Sequence, residues 1–134
     1  MIALSIGLVY LWFGGLKFIP DMSPAQDLAI DTIRQLTFNL IPPKTSLFLL
    51  ALWEVSVGVM LILNKFIRVV ILIALLHMVC TFTPLLFFPD LAFARPPLGY
   101  TLLGQYIFKN IIIIAALVTL YKLSAKGVKP ISLF

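Results

Sequence analysis

The sequence predicts an all-α membrane protein: a four-helix transmembrane bundle with an extra amphipathic interfacial helix between spans one and two. Three observations lead there. Hydrophobic types make up 62% of the 134 residues and charged types 11%, against about 25% charged in an ordinary soluble domain. Four apolar runs approach the roughly 20 residues that cross a bilayer. Between the first two runs lies a stretch with one apolar and one charged face. A soluble fold of this size has too little interior to hide so much apolar surface. That excludes a soluble enzyme, a disordered chain and a zinc- or disulfide-built mini-domain, and leaves residues 1–134 as a single transmembrane domain.

Span one covers about residues 2–18. It lacks a basic leader and a small-x-small cleavage site, so it reads as a retained span rather than a signal peptide. In the connection Asp21 to Lys44, Ser23-Pro24-Ala25-Gln26 reads as a helix start: a Ser N-cap, Pro at the first position and Gln at the capping-box position. Over about residues 24–40, Ala25, Ala29, Ile33, Leu36 and Leu40 share one face at a helical period, with Asp27, Asp31 and Arg34 opposite. Pro42-Pro43 is expected to end this element, which would lie on the membrane surface or cap the bundle. Span two follows at about 46–63 and span three at about 69–88, where Pro84 is expected to kink the helix. Leu91 to Gly104, with Arg95-Pro96-Pro97 and Gly99, reads as a non-helical loop. Span four is about 102–121.

Net charge is +5 and the isoelectric point about 9.6. The charges sit in short connections and a tail with no basic face, so nucleic acid is not expected as a partner. They serve instead as topology signals. Lys65, Arg68, Lys122, Lys126 and Lys129 have no acidic neighbours, whereas Arg34, Lys44 and Arg95 are diluted by Asp21, Asp27, Asp31 and Asp90. Lys17 and Lys109 fall at or within the bilayer edge and are left out of that comparison. The positive-inside rule then places both termini in the cytoplasm, and a bacterial cytoplasmic (inner) membrane is the expected location.

Ionisable groups inside a span are costly and mark function. There is one in each span: Lys17, Glu54, His77 and Lys109. All four fall between the midplane and the outer surface. Glu54 is the sole intramembrane carboxylate, with Lys17 and Lys109 as candidate partners. Thr81, Gln105 and Asn110 would complete a buried polar network, and Trp12, Phe13, Trp53, Phe82 and Tyr106 would supply aromatic walls. Packing roles fall to Gly14, Gly15 and Gly58. HxxxH, ExxH and CxxC spacings are absent, and His77 with Cys80 does not make a closed metal site, so no metal is expected. Cys80 is the single cysteine and has no internal disulfide partner.

Four segments taken in order carry a resemblance. They are Trp12-Phe13-Gly14-Gly15-Leu16-Lys17-Phe18, then Trp53-Glu54-Val55-Ser56-Val57-Gly58. His77-Met78 with Thr81-Phe82-Thr83-Pro84 follows, and then Gly104-Gln105-Tyr106-Ile107-Phe108-Lys109-Asn110. Together they resemble the DoxX-like family of small four-span membrane proteins, over nearly the whole chain. The resemblance implies a compact four-helix membrane bundle linked to redox work. One branch of that family is similar to the small subunit of a thiosulfate:quinone oxidoreductase, and another associates with thiol and superoxide detoxification. With no second cysteine, direct dithiol chemistry does not fit this chain. The same general bundle is also similar to eukaryotic sterol-binding and cargo-handling membrane proteins, so a shared fold need not mean shared chemistry.

The leading expectation is a redox-associated accessory protein, a non-catalytic subunit of a membrane oxidoreductase. It would bind a quinone-like or other small amphipathic ligand through Trp12, Lys17, Trp53, Glu54, His77, Thr81, Gln105, Lys109 and Asn110. His77, Lys109 and Gln105 would donate to a quinone carbonyl, and Glu54 would accept or relay a proton. A redox partner protein would supply the electrons, because the chain carries no evident redox centre. Two alternatives stand beside it. One is a small carrier or channel for protons, anions or a metabolite, in which Glu54 and Lys109 alternate partners within a homodimer. The other is a purely structural assembly subunit.

Overall fold

A computed structural model describes residues 1–19, 21–23, 25–95 and 99–127. Its elements are α1 (Ile2–Leu16), α2 (Gln26–Leu36), α3 (Pro43–Ile62), α4 (Ile67–Cys80), α5 (Thr83–Phe87), α6 (Pro89–Ala92), β1 (Phe93–Arg95), β2 (Gly99–Tyr100), α7 (Leu102–Phe108) and α8 (Asn110–Ala125). Among the described residues, three helical stretches are long and apolar enough to cross a membrane: α3, the α4–α5 run Ile67–Phe87 and the α7–α8 run Leu102–Ala125, of 20, 21 and 24 residues. α1 is apolar but has 15 residues, about 22 Å at 1.5 Å per residue.

α1 and α3 run antiparallel with their backbones in near contact. A Cβ on Gly58 would stand 2.8 Å from the Gly7 carbonyl oxygen, and one on Gly14 would stand 2.8 Å from the Glu54 Cβ. Small residues at these positions let two helices approach to the point where dispersion forces act along the whole seam. Gly14 and Gly58 hold the packing places expected of them and Gly7 joins them. Gly15 does not, because it faces open space.

α3 turns back into α4 through Leu63–Phe66. Asn64 adopts a left-handed conformation at φ 53, the Asn64 N–H donates to Leu61 O, and the Lys65 N–H donates to Met60 O. This is the Schellman closure, which satisfies two orphan carbonyls at a helix end. α8 lies antiparallel to α4. Arg68 Nη2 donates to Ser124 O at 2.9 Å at one end, and Asn110 Nδ2 donates to Thr81 Oγ1 at 3.1 Å at the other. Between them Ile6, Tyr10, Val57, Leu61, Ile71, Met78, Leu117 and Leu120 form the core. The outward faces are apolar as well, with Trp12, Leu52, Leu76 and Ile112 exposed. A helix apolar all round belongs in a membrane or a large core.

Pro84 breaks the third apolar run at Thr81–Phe82. The proline has no N–H for the Cys80 carbonyl, which accepts the Thr83 hydroxyl at 2.7 Å instead, while Met78 O accepts Thr81 Oγ1 at 2.6 Å. The two threonines thus repair what the proline removes.

Three local expectations need correction. α2 starts at Gln26 with left-handed Ala25, rather than Ser23, at its N-cap position. Pro24, assigned to its first turn, lies outside the described residues. α2 also stops at Leu36, well before Pro42-Pro43. Its Schellman end has Phe38 in the left-handed region at φ 51, with the Asn39 N–H bonded to Arg34 O and the Arg34 side chain to Asn39 Oδ1. Pro43 instead opens α3 at its first turn, where its missing N–H costs nothing. The connection Leu91 to Gly104 contains the end of α6, the start of α7 and a short antiparallel ladder pairing Phe93 with Tyr100 and Arg95 with Gly99. Pro96 and Pro97 lie outside the described residues.

The C-terminal end of α1, the N-terminal end of α3, the C-terminal end of α4 and the start of α8 all face the same way. Both long connections therefore lie at that end, and so does the cavity described next.

Candidate functional site

Four side chains from three helices form a continuous polar line. Lys17 Nζ donates to Glu54 Oε2 at 2.6 Å and to Phe13 O at 3.2 Å. The other carboxylate oxygen, Oε1, is 3.6 Å from His77 Nε2. His77 Nδ1 is 3.3 Å from the Tyr10 hydroxyl, which is in turn 3.3 Å from Ala74 O. Lys17 and Glu54 side chains are each 10% exposed. A carboxylate kept that far from water requires a cation or a proton, and the short lysine contact is a charge-assisted hydrogen bond.

The Tyr10 hydroxyl has one proton for two acceptors. When it donates to His77 Nδ1, the imidazole carries its proton on Nε2 and directs it at Glu54. When it donates to Ala74 O, Nδ1 carries the proton and donates to the tyrosine. The same tyrosine can thus serve either imidazole tautomer, and with both ring nitrogens protonated it acts as acceptor. At 3.6 Å the imidazole–carboxylate approach is longer than a hydrogen bond and of ion-pair range.

This polar line forms part of the wall of a cavity of about 590 Å³. Val9, Phe13, Met78, Ile107 and Ile113 supply apolar wall, and Phe13 meets Tyr106 edge-to-face with centroids 5.8 Å apart. α2 and its N-cap cover one side: Ala25, Leu28, Ala29, Thr32, Ile33 and Leu36 all line the cavity. Four of the five residues assigned to its apolar face therefore line the cavity. The fifth, Leu40, lies past the helix end and is exposed.

The structure brings Lys17, Glu54, His77, Thr81, Lys109 and Asn110 to one cavity. Thr81 and Asn110 are bonded to each other. Lys109 lines the rim without an ion-pair partner among the described residues, and Glu54 pairs with Lys17 rather than with it. Gln105 is exposed and does not line the cavity. Trp12 and Trp53, assigned as aromatic walls, are 68% and 44% exposed on outward faces. A helix turns about 100° per residue, so a neighbour in sequence to Phe13 or Glu54 faces elsewhere. Phe82 does not line the cavity either.

Tyr10 was not among the assigned residues. It lies seven positions before Lys17, two helical turns along the same face, and that offset is the signal that finds it. Cys80 also lines the cavity. Among the described residues no group of three His, Cys, Asp or Glu side chains is placed to hold a metal. No protein-family model matches the chain, and no curated protein or solved structure matches it either.

Proposed function

We propose that this chain is a DoxX-like four-span membrane protein that binds a quinone-like or similar small amphipathic molecule, as an accessory subunit of a membrane oxidoreductase. In this reading α1 is the first span and α2 lies at the outer interface of a bacterial inner membrane, with both termini cytoplasmic. One observation carries the proposal: an apolar cavity with a polar line, Lys17–Glu54–His77–Tyr10, along its wall. Its volume of about 590 Å³ falls in the ~300–1,000 Å³ range of small-ligand sites. Apolar walls with a few convergent donors suit a ring carrying carbonyl oxygens and an apolar tail.

The residues fit such a group. His77, Lys109 and Asn110 can donate to carbonyl oxygens, and the Glu54–His77 pair can hold a proton beside them. When bound, a quinone would supply two-electron acceptor chemistry, with the electrons coming from a partner protein. α2 would keep water from the polar line. Exposed Gln105 leaves this role to the other donors.

The test is titration of the purified protein with ubiquinone or menaquinone, read as thermal stability. A saturable rise in Tm for wild type that is reduced in Glu54→Gln is expected. No ligand-dependent shift in either protein overturns the reading.

A further inference from the structure

We infer that the end of the bundle opposite the cavity is a binding site for anionic phospholipid headgroups. Of the ten Lys and Arg residues, five lie at the cavity end: Lys17, Arg34, Lys44, Arg95 and Lys109. All five acidic residues, Asp21, Asp27, Asp31, Glu54 and Asp90, also belong to the cavity half or its connections. That half is formally neutral, its five basic and five acidic residues cancelling, so the net positive charge of the described residues lies at the other end. There Lys65, Arg68, Lys122 and Lys126 are all exposed; Lys129 is outside the described residues.

Packing holds this cationic group together. Arg68 Nη2 donates to Ser124 O at 2.9 Å, which caps the last turn of α8 and ties the α3–α4 turn to the helix end bearing Lys122 and Lys126. The bond uses one of the five N–H groups of a guanidinium, and the Arg68 side chain remains exposed. Among the described residues no carboxylate neutralises this end.

A second feature selects a lipid over a dissolved anion. Phe66 stands between Lys65 and Arg68, 75% exposed, in the left-handed conformation at φ 49. Leu63 beside it is exposed too. A phenyl ring held out of the turn between two cations has nothing to gain from water. It suits the boundary where acyl chains meet phosphate, with cations reaching the headgroups and the ring below them. The inference depends on the membrane setting alone and is independent of what the cavity holds.

The experiment uses the full chain in detergent with equal amounts of phosphatidylglycerol and phosphatidylcholine, read by native mass spectrometry. Preferential retention of phosphatidylglycerol is expected. The variant Lys65→Gln/Lys122→Gln/Lys126→Gln should lose about tenfold or more of that retention, and Arg34→Gln/Lys44→Gln/Arg95→Gln should keep it. Millimolar inorganic phosphate should leave retention unchanged. Should the triple variant fail to fold, Phe66→Gln is compared, and reduced retention is again expected. Equal retention of the two lipids overturns the inference. So does wild-type retention by whichever cationic-end variant folds, or displacement by free phosphate.

Discussion

Replacing Lys17 with Met should cost far more stability than replacing Lys17 and Glu54 together. Lys17 Nζ is 2.6 Å from Glu54 Oε2, and both side chains are 10% exposed. In Lys17→Met the carboxylate keeps its burial and loses its cation. His77 Nε2 remains beside it, at 3.6 Å. Breaking a buried pair from one side costs about 3–5 kcal/mol, because the partner is stranded without compensation. Glu54→Gln should be milder, about 1–2 kcal/mol. The freed ammonium keeps its bond to Phe13 O and sits on a flexible stem that can reach the interface. In Lys17→Met/Glu54→Gln neither charge remains, and neutral replacement of a buried pair is close to free. The double variant should lie within about 1 kcal/mol of wild type.

The assay is reversible unfolding in mixed micelles at rising dodecyl sulfate fraction, followed by circular dichroism. The cycle should show a coupling of at least about 2 kcal/mol. Additive costs, within about 0.5 kcal/mol, would mean that both groups are hydrated and independent. The polar line would then not be a buried unit, and the argument for a site built on it would fail.

Gly58→Ala should destabilise by about 1–3 kcal/mol in the same assay, since its Cβ would meet the Gly7 carbonyl oxygen and the Leu11 nitrogen within 2.9 Å; Gly15→Ala, with nothing within 4 Å, should be neutral or stabilising by up to about 1 kcal/mol. Equal effects would show that α1 and α3 do not pack through glycine. Tyr10→Phe should cost about 1 kcal/mol and shift the Nδ1 resonance of His77 in 15N spectra, because that nitrogen loses its partner; an unchanged resonance contradicts the contact. Cys80, the sole cysteine, lines the cavity and serves as a reporter. A quinone analogue at about ten times its Kd should slow maleimide labelling about tenfold, and an unchanged rate at saturation would place the ligand elsewhere.

The apolar runs and the inner face of α2 were legible because hydrophobic periodicity reports burial directly. The convergence of Lys17, Glu54 and His77 was legible from cost alone, since an apolar span carrying an ionisable group must shelter it. Other features depend on angles and partners that local pattern does not contain. Trp12 and Trp53 sit beside site residues in sequence, but one residue along a helix is a quarter turn or more away. Gln105 shares a helical stripe with Lys109, yet the helix is interrupted at Lys109 between α7 and α8, and it is Asn110 just past the break that meets Thr81. The end of α2 was missed because Phe38, not glycine, occupies the left-handed position, and nothing in its identity announces that conformation. The choice of Lys17 over Lys109 for Glu54 follows from the α1–α3 contact, which Gly7 and Gly58 create across more than 50 residues of sequence.

That contact explains why α1, shorter than the three long apolar runs, supplies so much of the site. Ala3, Gly7, Tyr10, Gly14 and Lys17 recur at spacings of four and three, so they form one stripe along α1. The glycines bring that stripe against α3 with almost no side chain between the backbones. Tyr10 and Lys17, on either side of Gly14, then reach across: the lysine to Glu54 on α3, the tyrosine to His77 on α4. With a larger residue at Gly14, the Cβ contact at 2.8 Å would push α1 outward at the point where Glu54 must be met. The ion pair and the tyrosine–histidine contact would lengthen together. Stability of the α1–α3 seam and assembly of the polar line are therefore one requirement. A variant at Gly14 should lose both in proportion, whereas Lys17→Met/Glu54→Gln should lose the line and keep the seam.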